Sequence, residues 1–178
     1  MNTKGQIVEI LASSPLYSQP KPAFQNKEAE LSWDANNPKY SLFDGILIGG
    51  HDGIEHFKIG QRKGVNQIGG AKESLYVIAI DKTENRILAG AGHNHPGLFA
   101  KVFQFSKSNL KWIDEALTTS PLNIKIENTS NKTFLDAKLY QFEDNVFLEF
   151  SQPIEKAIFN QSVSIFNNNQ IIATIQQA

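Results

Sequence analysis

The chain of 178 residues is 40% hydrophobic and 20% charged, so it can bury a core, and global disorder is not expected. Its 17 basic and 18 acidic residues give a net charge of −1, which is not the charge of a protein that binds nucleic acid through charge alone, although a local basic patch is compatible with it. The absence of cysteine excludes disulfides, cysteine nucleophiles, persulfide carriers and thiolate metal sites.

The first elements in chain order are a strand, a long loop and a second strand. Gln6–Leu11 predicts a short strand. Residues 15–40 are interrupted by prolines and asparagines, which predicts an irregular N-terminal arm that Leu31 and Trp33 anchor to the surface. Gly45–Ile48 is a short apolar run that ends in glycines and predicts another strand.

The next segment, HDGIEHFKIGQRKG, predicts one short helix. Ile54, Phe57 and Gln61 recur at the spacing of one helical face. Asp52 is a candidate cap at the start of this helix, and either glycine of GQRKG is a candidate for its end.

A predicted hairpin follows. Leu75–Asp81 and Arg86–Ala91 are β-rich runs joined by four polar residues, which is the pattern of two antiparallel strands. Residues 92–97 predict a turn, and Lys101–Phe105 alternates polar and apolar residues as a half-buried strand does.

The C-terminal part is dense in strand signals, with asparagines where turns are needed. Short strands at this spacing predict a five- or six-stranded antiparallel β-barrel. The fold class expected is therefore mainly β, with a β-rich domain at residues 1–113 that contains one short helix, its irregular arm at residues 1–40, and a small barrel at residues 114–178. The predicted barrel strands are Leu122–Glu127, Phe134–Phe142, Val146–Phe150, Ser162–Phe166 and Ile171–Ile175.

The segment with the clearest chemical character is GQRKG. Arg62 and Lys63 are adjacent cationic donors between two glycines, which allow a phosphate to approach backbone N–H groups. Together with Lys72 they predict a phosphate-contacting surface, and Gln61 belongs to the same candidate set. The alternative is a glycine-punctuated helix end with cations that offset its dipole, and the pattern is not that of a GxxxxGK[ST] loop.

The histidines suggest a turn more than a metal centre. His93 and His95 lie two residues apart in a Gly/Pro-rich segment, and no fixed ligand spacing is met, so neither a metal nor a cofactor is expected. No nucleophile–base pattern stands out either, which disfavours an independent enzyme.

Two stretches resemble the middle domain of the tRNA-specific 2-thiouridylases, the MnmA/TrmU family. They are GGHDGIEHFKIGQRKGVNQIGG and LYVIAIDKTENRILAGAGHNHPGLFAK, which follow the family order G-x-H-x-G, G-Q-R-K-G, I-G-G and G-H-x-H-P over about fifty residues. The last sixty residues match more weakly, in a part that folds as a small β-barrel in this family. The matching positions there are Pro153, Ala157, Gln161, Val163 and Phe166.

The departures from the family pattern affect function. The family's ATP-pyrophosphatase domain, with its SGGxDS loop and two catalytic cysteines, has no counterpart among the 178 residues. The stretch KIENTSNKT at residues 125–133 lacks the arginines that the family associates with tRNA contact, and residues 1–40 have no clear counterpart in the pattern.

The resemblance implies a non-catalytic tRNA- or RNA-binding accessory that acts alone or with a separate ATP-pyrophosphatase or thiolase subunit. Arg62, Lys63 and Lys72 would contact phosphates, while His51, His93 and His95 would shape the turn beside them. The alternative is a protein-interaction module that has lost RNA binding, for example through its proline-rich arm. The N-terminus has no signal-peptide core and no apolar run is long enough to span a bilayer, so we expect a cytoplasmic protein without a membrane partner.

Overall fold

A computed structural model describes residues 4–65, 73–113, 120–128 and 131–176. Within these ranges the chain is rich in strands and has one α-helix, α1, at Lys27–Asn36. It divides into two compact units, one of Met1–Lys21 with Pro38–Phe99 and the other of Pro22–Asn37 with Ala100–Ala178. The strands are β1 Gly5–Glu9, β2 Ile46–His51, β3 Leu75–Asp81, β4 Arg86–Ala91, β5 Phe99–Ser106, β6 Leu110–Trp112, β7 Leu122–Asn128, β8 Thr133–Gln141, β9 Asn145–Glu155, β10 Val163–Asn167 and β11 Gln170–Ile175.

The first unit is built on a four-stranded sheet in the order β2-β1-β4-β3. β1 runs antiparallel to β2 and parallel to β4, and β3 and β4 form the predicted antiparallel hairpin. The hairpin turn is stabilised by Asp81, whose carboxylate accepts hydrogen bonds from the N–H groups of Thr83 and Glu84, both at 3.0 Å. Asn85 then adopts the left-handed conformation with φ 51°, which asparagine tolerates better than most residues.

Both faces of this sheet are covered, because successive side chains of its strands enter two different hydrophobic clusters. Ile7 and Ile87 lie in one cluster, and their neighbours Val8 and Leu88 lie in the other. All four side chains are buried. The sheet is therefore a rigid support for the loops at its ends.

The second unit is a curled seven-stranded sheet in the order β5-β9-β8-β7-β10-β11-β6. The strand pairs β7–β8, β8–β9, β7–β10, β10–β11 and β11–β6 are antiparallel. The five strands predicted for this part are all present, and the sheet also includes β5 and β6 at its edges. The mainly β fold class with an antiparallel half-barrel is thus confirmed.

Helix α1 covers one face of the second unit's sheet. Leu31 is fully buried against Val102, Tyr140 and Phe147. Asn26 begins the helix by accepting a hydrogen bond from the N–H of Ala29 at 2.8 Å. The helix therefore depends on tertiary packing as well as on its cap.

An ion pair fixes the first turn of α1. Lys27 donates to Glu149 at 3.0 Å, and the hydroxyl of Tyr140 donates to the other carboxylate oxygen at 2.9 Å. Burial alone would raise the pKa of Glu149, but the hydrogen bonds from Lys27 and Tyr140 outweigh it and lower that pKa. Burial would lower the pKa of Lys27, and the hydrogen bonds to Glu149 and Glu30 raise it instead.

Two predictions about the first hundred residues are wrong. The arm is not irregular throughout, since it contains α1 and a 3₁₀ turn at Pro15–Ser18. The helix predicted from the spacing of Ile54 and Gln61 is a single 3₁₀ turn, Ile54–His56. Gly53 rather than Asp52 stands at its start, without a side-chain cap, and the N–H of Gly60 bonds to the carbonyl of Val77 instead of continuing a helix.

The compact units differ from the predicted domain boundary at residue 113, because β5 and β6 pair within the sheet of the second unit. As a division into domains, residues 1–113 and 114–178 stay a prediction. Among the residues that the structure describes, no helix combines the length and the apolar character needed to cross a membrane.

Candidate nucleic-acid interface

The segment Lys58–Gly64, here called the basic loop, is tied to the edge of the first unit's sheet. Gly60 donates its N–H to the carbonyl of Val77 at 2.8 Å, and the N–H of Val77 donates to the carbonyl of Gln61 at 2.9 Å. Gly60 and Gly64 have φ values of 81° and 85°, which residues other than glycine rarely adopt. The two glycines thus let the chain turn on either side of its backbone contact with Val77 within a few residues.

Gln61 holds the basic loop from inside. Its side-chain oxygen accepts from the N–H of Lys58 at 3.0 Å, and its side-chain nitrogen donates to the carbonyl of Lys63 at 2.8 Å. Both ends of the amide are therefore engaged within the loop. Gln61 was predicted as an RNA contact, and its geometry is that of a residue that shapes the loop.

Arg62 and Lys63 form the exposed tip of the basic loop. Within the described part of the chain, neither side chain pairs with a carboxylate. Two adjacent cations that no described carboxylate pairs with are available to an external anion. Lys72, the third predicted cation, lies outside the described residues.

His51 organises the turn that follows β2. Its ring is buried, with 7% exposure, and packs edge-on against Phe57 with the ring centres 5.5 Å apart. Nδ1 accepts from the N–H of Gly53 at 3.1 Å, so the ring hydrogen lies on Nε2, which reaches the carbonyl of Asn85 at 3.3 Å.

His95 repeats this arrangement in the turn after β4. Nδ1 accepts from the N–H of Gly97 at 3.1 Å, and Nε2 donates to the carbonyl of Ile10 at 3.0 Å. The ring is 1% exposed and packs edge-on against Tyr17. Gly90 makes room for it, because a Cβ there would lie 2.5 Å from the ring. Two of the three predicted histidines therefore bond to the backbone from buried positions.

His93 is the exposed histidine of the predicted set. It lines a surface cavity of about 530 Å³ together with Glu73, Ser74, Tyr76 and Asn94. Tyr76 precedes Val77, the residue of β3 that holds the basic loop. One strand thus positions both the basic loop and the cavity beside His93.

No group of three His, Asp or Glu side chains gathers as a set of metal ligands in the ranges that the structure covers. The buried titratable groups near His95 are tyrosines. Burial raises the pKa of Tyr17, and its hydrogen bond with Tyr40 at 3.0 Å adds to the effect. Both phenols are neutral at physiological pH and serve packing.

Comparison with known proteins places the basic loop in a recognised domain. Residues 40–91 match the family model described as the tRNA methyl transferase PRC-barrel domain. This span includes β2, the basic loop, β3 and β4.

Curated relatives match almost the whole chain. It is 30% identical to the tRNA-specific 2-thiouridylase MnmA of Flavobacterium johnsoniae over 96% of its own length and 44% of that protein. It is also 30% identical to the tRNA-specific 2-thiouridylase MnmA of Christiangramia forsetii, over 96% of its own length and 44% of that protein. Its identity to the MnmA of Karelsulcia muelleri is 32%, over 96% of its own length and 42% of that protein.

These matches also correct one prediction. Because they cover 96% of the chain, most of residues 1–40 do have a counterpart in these relatives. The chain spans less than half the length of the curated relatives that it matches. By this similarity, the chain is a partial relative of the tRNA-specific 2-thiouridylases and resembles their middle and C-terminal part.

Proposed function

We propose that this chain is a non-catalytic tRNA- or RNA-binding accessory of tRNA modification. In this proposal it contacts RNA phosphates through the basic loop and acts in the cytoplasm with a separate thiolase subunit that supplies the chemistry. The observation that carries the proposal is the exposed Arg62–Lys63 tip, which has no carboxylate partner among the described residues and which a glycine-bounded loop presents inside the span that matches the family model.

The geometry of the tip suits binding of a phosphate on another molecule better than pairing with a carboxylate of this chain. The guanidinium of Arg62 can donate two parallel hydrogen bonds to phosphate oxygens, and Lys63 adds a compact positive charge beside it. Gln61 and Val77 hold the backbone beneath them, so little backbone conformational entropy is lost when an anion binds. His51 and His95 would contribute by fixing neighbouring turns, and His93 would be the histidine able to touch RNA directly.

The non-catalytic part of the proposal rests on composition. Sulfur transfer through a persulfide needs a thiolate, and the 178 residues contain no cysteine. Activation of a base by ATP needs a phosphate-holding loop, and the sequence has neither an SGGxDS nor a GxxxxGK[ST] segment. In this proposal, the separate subunit provides both functions.

Binding to a fluorescently labelled tRNA, followed by anisotropy at several salt concentrations, tests this proposal. The double substitution Arg62→Gln and Lys63→Gln should weaken binding about tenfold, since each exposed ion pair contributes up to about 1 kcal/mol. The slope of log affinity against log salt should fall by about 1.4 to 1.8 when two phosphate contacts are removed.

The matched control is Lys39→Gln with Lys82→Gln, which removes two exposed cations from the same unit. It should leave affinity and salt slope close to those of the unmodified chain. No binding to tRNA at low salt, or an equal loss of affinity in both double variants, would show that the basic loop is not an RNA contact.

A protein-interaction module is the second candidate function. It is favoured by the net charge of −1 and by exposed apolar side chains in the first unit. Absence of tRNA binding together with capture of a protein by this apolar surface would support it over the RNA-binding proposal.

A further inference from the structure

The surface cavity beside His93 is large enough for a small organic ligand. Its volume of about 530 Å³ falls within the range of such sites, roughly 300 to 1,000 Å³. It lies next to the basic loop, because Tyr76 in its wall precedes Val77, whose N–H and carbonyl hold that loop. The side chains in its lining that can bond or stack with a ligand include Glu73, Ser74, Tyr76, His93 and Asn94.

Backbone hydrogen bonds fix the walls of this cavity. The N–H of Gly92 donates to the carbonyl of Ser74 at 2.9 Å, and the N–H of His95 donates to the carbonyl of Gly92 at 3.3 Å. Gly92 has a φ of 86°, and a Cβ there would lie 2.6 Å from Oε2 of Glu73. The missing side chain thus lets the carboxylate of Glu73 lie against the turn. Since the walls are already ordered, a ligand loses little free energy in shaping the site.

The lining of the cavity suits a nucleobase better than a phosphate. Glu73 is negatively charged, and none of the described residues that line the cavity is a lysine or an arginine, so a phosphate would be repelled. Tyr76 and His93 offer aromatic rings on which a base can stack. Ser74 and Asn94 add hydrogen-bond donors and acceptors. An unpaired base is therefore the part of an RNA that fits here, while phosphates suit the cations of the basic loop.

We propose that the cavity binds an unpaired guanine base of the RNA that the basic loop contacts, an inference that rests on the proposed function. Glu73 would select the base, because a carboxylate accepts two parallel hydrogen bonds and guanine presents two neighbouring donors, N1–H and its amino group, on its Watson–Crick edge. Uracil presents one N–H there, and adenine and cytosine place an acceptor beside their amino group. A carboxylate has about four acceptor sites, so the interaction that Glu73 makes within the chain leaves others for the base.

Saturation-transfer NMR with guanosine, which carries no phosphate, tests the cavity independently of the basic loop. We expect the full chain to bind guanosine with a Kd on the order of 1 mM, and to bind inosine, which lacks the amino group, about tenfold more weakly. This comparison needs no variant. Glu73→Gln should reduce guanosine binding to the level of inosine, and Glu55→Gln, at an exposed position elsewhere in the first unit, should not. Absence of guanosine binding, or equal binding of the two nucleosides, would overturn the proposal.

Fluorescence anisotropy with short labelled RNAs then shows whether the guanine belongs to RNA. A uridine oligonucleotide with a central guanine should bind about tenfold more tightly than the same oligonucleotide with a central inosine. Arg62→Gln with Lys63→Gln should weaken both and preserve the ratio, whereas Glu73→Gln should abolish the ratio. Guanosine binding without a guanine preference in RNA would assign the cavity to a free guanine compound and overturn the proposal. If the basic-loop substitutions change neither affinity while the preference persists, the phosphate contact fails and guanine recognition by the cavity stands.

Discussion

Replacing Lys156 by methionine should stabilise the second unit at neutral pH. Lys156 begins the 3₁₀ turn that follows β9, beside the partly buried Ile154 and Ile158 of the barrel core. Burial lowers the pKa of Lys156 to about 8. In the structure's described ranges, no carboxylate pairs with this amine, so nothing offsets the cost of keeping it charged.

The magnitude follows from the pKa difference. A lysine in the unfolded chain has a pKa of about 10.4, and each unit of difference corresponds to about 1.36 kcal/mol. With a folded pKa of about 8, the penalty at pH 7 would reach about 3 kcal/mol. Partial exposure of Lys156 reduces it, so we expect Lys156→Met to gain about 1 to 3 kcal/mol in free energy of unfolding.

The pKa shift of Lys156 also predicts how the stability gain of Lys156→Met changes with pH. The folded pKa is below the unfolded one, so the penalty is fully present below about pH 8 and declines as pH rises. It is nearly gone above about pH 10.4, where the unfolded lysine has also lost its proton. The advantage of Lys156→Met should therefore be largest near pH 7 and shrink steadily toward pH 10.

Urea denaturation followed by tryptophan fluorescence measures this effect, because Trp33 and Trp112 both lie in the second unit. Lys138→Met, at an exposed position of β8, is the matched control and should change the free energy of unfolding by less than about 0.5 kcal/mol. Equal stabilisation by both substitutions, or a gain that does not vary with pH, would refute an uncompensated buried amine at Lys156.

Three further outcomes are expected. In thermal denaturation, His95→Ala should lower the free energy of unfolding by about 3 kcal/mol, because it leaves two buried backbone groups without partners. His93→Ala, at an exposed position, should lower it by less than about 0.5 kcal/mol, and similar losses in both variants would contradict the role of the His95 ring. Glu149→Gln should lower the free energy of unfolding by about 1 kcal/mol at pH 7. Because the pKa of Glu149 is lowered in the folded chain, the stability that its carboxylate contributes is present above about pH 4.3 and is lost as pH falls through the folded pKa. An undiminished difference between the two proteins at pH 3 would argue against the ion pair. Gln61→Ala should speed trypsin cleavage within the basic loop severalfold without lowering the melting temperature of the sheet by more than about 2 °C, and unchanged cleavage would mean that the amide does not hold the loop.

The hairpin of the first unit could be predicted because its information is local. Leu75–Asp81 and Arg86–Ala91 alternate around a four-residue turn, and the carboxylate of Asp81 stabilises that turn from within the hairpin itself. The C-terminal strands were predictable for the same reason. Local patterns, however, do not contain the partners of strands that pair across the chain, so the inclusion of β5 and β6 in the second sheet could not be read from them.

Helix α1 was missed because its apolar side chains stand at every second position, although Leu31 and Ala35 are also at helical spacing. Ala29, Leu31, Trp33 and Ala35 alternate as in a strand, and the surrounding prolines suggest a loop. Only Leu31 of these is fully buried, so packing against one point of the sheet decides the conformation. The available signal was Asn26 as a cap followed by glutamates in the first turn.

The exposed cations of the basic loop could be predicted from the sequence, but the hydrogen bonds that hold the loop could not. Two cations between glycines could be recognised in the sequence, and both are exposed. The internal bonds of Gln61 span two and three residues and leave no periodic signal. The equivalent roles of His51 and His95 have a recognisable pattern, since each ring accepts from a glycine two residues later.

The excursion of residues 22–37 into the second unit has a consequence for biosynthesis. Lys27 and Glu149 are 122 residues apart, and all of residues 38–99 leave the ribosome between them. Helix α1 therefore cannot pack, and Leu31 stays exposed to solvent, until the strands of the second unit have been translated. Cutting the chain at residue 100 to isolate the later strands would remove the side chain that seals Val102, Tyr140 and Phe147, so the two units cannot be separated by one cleavage.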